Sequence, residues 1–96
     1  MTLPPKRVHV IISGRVQGVS YRAWTQKQAQ MHGVDGWVRN RGDGTVEAVF
    51  SGEAMAVDAL LFACGKGPLP AKVRDILVTP WKEEVQPGFT RLPTEP

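Results

Sequence analysis

The chain has 96 residues, 42% of them hydrophobic and 22% charged, enough for one small core and too few for a second domain. The single cysteine, Cys64, excludes an intrachain disulfide and a cysteine-rich metal site, and no run has the length and apolarity of a signal peptide or a membrane span. Net charge is +3 but uneven: up to Arg41 seven basic residues face Asp35 alone, whereas five basic and eight acidic residues follow, so the N-terminal half favours an anionic ligand. A cytoplasmic, monomeric, single-domain protein over residues 1–96 is expected, with 1–6 and 93–96 as flexible tails.

Beyond that proline-containing start, Arg7–Ser13 is rich in β-branched residues and predicts a central strand, with Val8, Val10 and Ile12 on one side and His9, Ile11 and Ser13 on the other. His9 reads as a strand residue with local partners. Tyr21–His32 contains neither proline nor glycine and meets a stop at Gly33, which predicts a helix whose apolar stripe is Tyr21, Trp24 and Ala29 with Met31 or His32. Val34–Arg41 and Gly44–Ser51 predict a hairpin around Gly42-Asp43-Gly44, residues that accept the positive φ of a tight turn. Glu53–Cys64 predicts a second helix, buried along Val57, Leu60, Leu61 and Cys64, where Cys64 is a small core residue. Val73–Thr79 is a further strand with a bulge or late start near Asp75, and Phe89–Leu92 is either a short edge strand or a packed tail.

The order β-α-β-β-α-β predicts an α+β fold, the ferredoxin-like split βαβ sandwich: one antiparallel sheet with two helices on one face. In a right-handed β-α-β crossover the first two strands run the same way, so the loop after the first and the end of the second share a sheet edge. That loop, Gly14–Arg22, reads GRVQGVSYR. Gly14 and Gly18 allow sharp turns, the next helix begins with unpaired N–H groups, and Arg15 and Arg22 add charge, together a cradle for a phosphate. The glycine spacing fits neither a Walker loop nor a dinucleotide fingerprint. Asn40 stands near the end of the second strand, about two strand spacings, or roughly 10 Å, from the loop.

GRVQGVSYR followed by GWVRNRGDGTVE (Gly36–Glu47), and later GPLPAKVRDILV with Trp81, resembles the acylphosphatase family, whose paired motifs have the forms G-x-V-Q-G-V-x-F/Y-R and G-W-V-x-N-x-x-D-G-x-V-E. The resemblance covers most of the chain. It implies a ferredoxin-like fold, hydrolysis of acyl phosphates to a carboxylate and inorganic phosphate without metal or cofactor, and catalytic residues at Arg22 and Asn40. Backbone N–H groups from Gln17, Gly18, Val19, Ser20 and Tyr21 would bind the phosphoryl group, and inorganic phosphate would be both product and inhibitor. The chain departs from the pattern at Tyr21, where phenylalanine is commoner, at His32 and in the last strand.

Two other functions are weighed against this one. An RNA-binding domain of the same topology stacks bases on aromatics of its central strands in a pattern like K/R-G-F/Y-G/A-F-V-x-F/Y, but VHVII and TVEAVF lack that stacking surface, so no nucleic-acid partner is expected. A phosphate-binding module of a larger maturation enzyme would need further domains.

Overall fold

Alternation sets the sheet. The computed structural model describes residues 4–96, and Met1–Leu3, part of the expected N-terminal tail, lie outside the described residues. β1 (Lys6–Arg15) buries Val8, Val10 and Ile12, and β3 (Val46–Gly52) buries Val46, Ala48 and Phe50 on the same face, which two helices cover. Between them in sequence come α1 (Tyr21–His32) and β2 (Asp35–Asn40), and after them α2 (Ala54–Lys66), β4 (Lys72–Pro80) and β5 (Phe89–Arg91). The sheet order is β4-β1-β3-β2-β5. The first four strands are antiparallel neighbours, as expected, while β5 adds a parallel edge beside β2 and makes the sheet mixed. Phe89–Leu92 thus contains a true edge strand.

Both β1 and β2 run antiparallel to β3, so they are parallel to each other and end at the same edge. Ile12, Val46 and Asn40 form one row across the three strands. Just beyond that row β4 bulges against β1. Ser13 pairs with Asp75 and Gly14 with Val73, which leaves Arg74 as the extra residue near the break that the sequence indicated. Gly14 adopts φ 123°, and a Cβ there would run into the Lys72 carbonyl, so glycine is required where the strand turns into the loop.

α1 has the expected bounds, and its C-terminal Gly33 (φ 67°) donates to the carbonyls of Ala29 and Gln30. Its buried residues are Tyr21, Thr25 and Ala29; Met31 is exposed and His32 half-buried, so of the two residues expected at the far end of the stripe His32 is the one that turns inward. Thr25 is tolerated inside because its hydroxyl donates to the Tyr21 carbonyl at 2.8 Å. α2 runs through Gly65 and Lys66 before Gly67 ends it, and it buries Val57, Leu60 and Cys64. The Tyr21 hydroxyl, the group by which this chain departs from phenylalanine, donates to the Cys64 carbonyl at 2.7 Å and ties α1 to α2. Burial disfavours the charged form of both: the pKa of the Cys64 thiol is pushed up to about 12, and that of the Tyr21 phenol is pushed well above its usual value.

The opposite sheet face is partly open and carries polar residues in a closed set. Glu47 accepts from His9 Nε2 at 2.6 Å and from Arg39 Nε at 2.7 Å, and Arg39 also reaches Glu95 at 2.6 Å. His9 stacks on Trp81, whose ring meets Trp37 edge-on, and the Arg39 guanidinium lies over Trp37. Burial opposes charge on Glu47, but the hydrogen bonds and charges of His9 and Arg39 outweigh it and hold the carboxyl below its usual range.

Candidate active site

The loop after β1 and the start of α1 form one wall of a cleft of about 360 Å³. Gln17, Gly18, Ser20, Tyr21 and Arg22 line it together with Asn40, so the fold brings the two resemblance-derived catalytic positions, Arg22 and Asn40, to one place. Val16, Ala23 and Arg91 complete the lining. Val19 is absent from it. Its side chain turns into the core at 8% exposure, which leaves that residue only its backbone to offer a ligand.

The loop's shape follows from alternating backbone signs. Gly18 takes φ 72° and Ser20 takes φ 61°, the latter the only non-glycine residue at positive φ among the described residues. A serine held there costs on the order of 1 kcal/mol, and such strain persists only where the surroundings enforce it. Alternating left- and right-handed residues turn successive N–H groups toward one concavity. Ser20 is also the residue before α1, and its side chain makes no capping bond. Trp24 N–H is the first to bond back, to the Ser20 carbonyl at 3.0 Å, so the N–H groups of Tyr21, Arg22 and Ala23 have no intrahelical partner. With the positive end of the helix dipole, they favour an anion.

Gln17 fixes the loop against the hairpin. Its amide nitrogen donates to the Arg41 and Thr45 carbonyls at 2.8 and 2.9 Å, on either side of the β2–β3 turn. Asp43 stiffens that turn by accepting from Thr45 N–H and its hydroxyl, which lowers the Asp43 carboxyl below its usual range. Beyond β2, Glu95 N–H donates to the Asn40 carbonyl at 2.9 Å, so Asn40 is held from the outside as well. The side-chain oxygen of Asn40 is buried without a hydrogen-bond partner. An orphaned acceptor in a polar cleft suits a ligand or a water.

Arg22 pairs with no carboxylate among the described residues: Glu47 is engaged on the opposite sheet face, and Asp43 bonds Thr45. Arg15, which the sequence placed at one end of the loop, does not line the cleft; it lies exposed at the end of β1 opposite Lys72. Arg91 takes the position of the second arginine. Only a parallel β5 makes it legible, because alternation from Phe89 then puts Arg91 on the cleft side. No group of three or more His, Cys, Asp or Glu among the described residues could hold a metal ion, and no helix among them is long and apolar enough to cross a membrane.

Comparison with known proteins gives relatives for the whole fold. The acylphosphatase family profile matches residues 8–91. An acylphosphatase of Rhodospirillum rubrum is 54% identical over 89 residues, which cover 93% of this chain and 98% of that protein. The crystal structure of acylphosphatase from Bacillus subtilis aligns with a TM-score of 0.86 at 36% identity, covering 90% of this chain and 97% of that one. A Coxiella burnetii acylphosphatase structure aligns with a TM-score of 0.88 at 31% identity, covering 93% and 94%.

Proposed function

The chain belongs to the acylphosphatase family of enzymes, and on that footing we propose that it hydrolyses acyl phosphates with Arg22 and the loop binding the phosphoryl group and Asn40 orienting water. The reaction needs little covalent help. Its leaving group is a carboxylate, stable as an anion near neutral pH, so no general acid is required. Phosphoryl transfer passes through a loose transition state with charge on the phosphoryl oxygens, which positioned donors stabilise. N–H groups from Gln17 to Tyr21, those of the first turn of α1, and the Arg22 guanidinium supply them.

The observation that carries the reading is the unpartnered Asn40 oxygen in the same cleft as the unpaired Arg22. An amide is no base at neutral pH, but its oxygen accepts a hydrogen bond from water and its nitrogen donates one, which fixes a water in line with the bond to be broken. The water oxygen bonds to phosphorus, the phosphorus–oxygen bond to the acyl group breaks with its electron pair leaving on the carboxylate, and the water proton passes to a phosphoryl oxygen. Arg22 and Asn40 come from one chain, so a monomer suffices. No metal or nucleic acid takes part, and the cytoplasm, where acyl phosphates are handled, suits an enzyme with one buried thiol.

Phosphate release from acetyl or benzoyl phosphate in the presence of EDTA tests this. Turnover should persist, and inorganic phosphate should compete with substrate. No release, or activity lost on chelation and restored by Mg²⁺ or Zn²⁺, overturns the proposal.

A further inference from the structure

The amide oxygen of Asn40 has no hydrogen-bond partner, so the direction it takes follows from where the backbone of β2 stands. On the inner side that backbone is fixed by β3: Asn40 pairs with Val46, and Arg41 N–H donates to the Thr45 carbonyl at 2.9 Å. On the outer side the ladder with β5 reaches only to Val38, which pairs with Arg91 and accepts from Leu92 N–H at 2.9 Å. Asn40 and Arg41 are met there by Glu95 instead.

Glu95 grips this corner with its backbone and its side chain together. Its N–H donates to the Asn40 carbonyl at 2.9 Å, and it forms a parallel bridge beside Arg41. Its carboxylate lies 2.6 Å from Arg39 Nη2 and 3.7 Å from Arg41 Nε, so one side chain ties the residues on both sides of Asn40. The approach is close: a Cβ on Gly42 would come within 2.9 Å of the Pro96 carbonyl carbon. Glu95 lies beyond residues 8–91, which the family profile matches, so the grip is this chain's own addition to the paired motifs. Nor does Glu95 line the cleft, and none of its bonds reaches the loop after β1 or the first turn of α1, where the phosphoryl cradle is built.

We propose that Glu95 is a positioning residue for the reaction: by holding the Asn40 backbone from the outer side of β2, it sets the amide that orients the attacking water. The inference rests on the hydrolase reading and adds to it a residue that never touches substrate. Misplacing a positioned group by about 1 Å can cost about 10² in rate, so a hydrogen bond to the backbone of the water-holding residue bears on kcat. Arg22 and the cradle hold the phosphoryl group independently of it, so phosphate affinity stays.

Three substitutions loosen the grip in different ways. Glu95→Pro removes the N–H together with the carboxylate, whereas Glu95→Gln keeps the N–H and weakens only the ion pairs. Gly42→Ala pushes on Pro96 and leaves Glu95 itself intact. With acetyl or benzoyl phosphate, Glu95→Pro should lower kcat about tenfold, Gly42→Ala about threefold and Glu95→Gln about twofold, while inhibition by inorganic phosphate stays within about twofold of the parent. In the Asn40→Ala background no amide is left to orient, so there each substitution should change kcat by less than about twofold. All rates are read well below the Tm of each variant. A parental kcat in folded Glu95→Pro overturns the inference, as does a kcat loss matched by an equal loss of phosphate affinity, or one that repeats in full on top of Asn40→Ala. Should Glu95→Pro fail to fold, Gly42→Ala and Glu95→Gln decide by the same criteria. If the parent releases no phosphate, the hydrolase reading fails and this one with it; an active parent whose variants all match it spares that reading and sinks only this one.

Discussion

Arg39 and Asn40 are consecutive residues of β2 that face opposite sides of the sheet, and the two sides treat their polar groups in opposite ways. On the Arg39 side every named group has a partner: Glu47 takes His9 and Arg39, Glu95 takes Arg39, and Trp37 lies under the guanidinium. On the Asn40 side the amide oxygen has no partner, Arg22 has no carboxylate, and the first N–H groups of α1 are unbonded. Closed polar sets stabilise a fold, whereas open ones keep bonding capacity for a ligand. An orphaned atom alone is a weak sign, since Arg7 Nε is also buried without a partner and does not line the cleft. The open groups of the Asn40 side gain meaning because they converge on one cleft.

The contrast predicts that substitutions on the Asn40 side cost activity and those on the Arg39 side cost stability. Arg22→Ala should have the largest effect, a loss of about 10³ in kcat/KM together with weaker phosphate inhibition, and Lys should restore little because it lacks the planar fork. Asn40→Ala should lower kcat by about 10² while phosphate inhibition stays much closer to the parent. Steady-state kinetics with phosphate as inhibitor reads both. If folded Asn40→Ala loses phosphate affinity as severely as Arg22→Ala, the division of roles between them is wrong.

Glu47→Gln breaks the other side. It should reduce stability by about 1–2 kcal/mol near neutral pH, through weaker hydrogen bonds to charged partners, and leave turnover near the parental value. A carboxyl whose folded value is depressed adds stability that is present above its unfolded value, near 4.5, and is lost as pH falls through the folded value. The gap between parent and Glu47→Gln in urea unfolding should therefore close as pH falls below about 4.5. A gap that stays constant into acid would remove Glu47 from the account. The smallest effect belongs to the core: Cys64→Ala should cost about 1 kcal/mol and spare activity. Because the folded thiol lies near 12 against 9.0 unfolded, the parent's advantage should be complete below 9.0 and fall as pH rises toward 12.

What the sequence revealed depended on whether the signal was local. α1 was readable to the residue because a glycine ends it, and the hairpin was readable because Gly42-Asp43-Gly44 accepts the turn. The juxtaposition of the loop with Asn40 also came through, since strand direction follows from the β-α-β order. β5 was ambiguous for a physical reason: its three residues are too few to show a period, and a parallel partner reached through a long connection leaves no turn signature. Arg91 was missed with it, and Arg15 was favoured by nearness along the chain. Thr25 escaped the helical stripe because a hydroxyl that bonds its own helix buries as an apolar group does. Trp37 and Trp81 meet across the open sheet face through tertiary structure alone, and a search of strands one and three for aromatics passes them by.

The bond from Glu95 N–H to the Asn40 carbonyl, with β5 just before it, also has a meaning in time. A ribosome releases the chain from its N-terminus, so the cradle and Asn40 emerge long before the segment that braces β2 from outside. At about 5–20 residues per second, the stretch from Asn40 to Glu95 takes on the order of several seconds to translate. During that interval the chain has neither the strand that pairs with the outer side of β2 nor the N–H that the Asn40 carbonyl accepts from. The outer brace of Asn40 is thus the last part of this corner of the fold to be made.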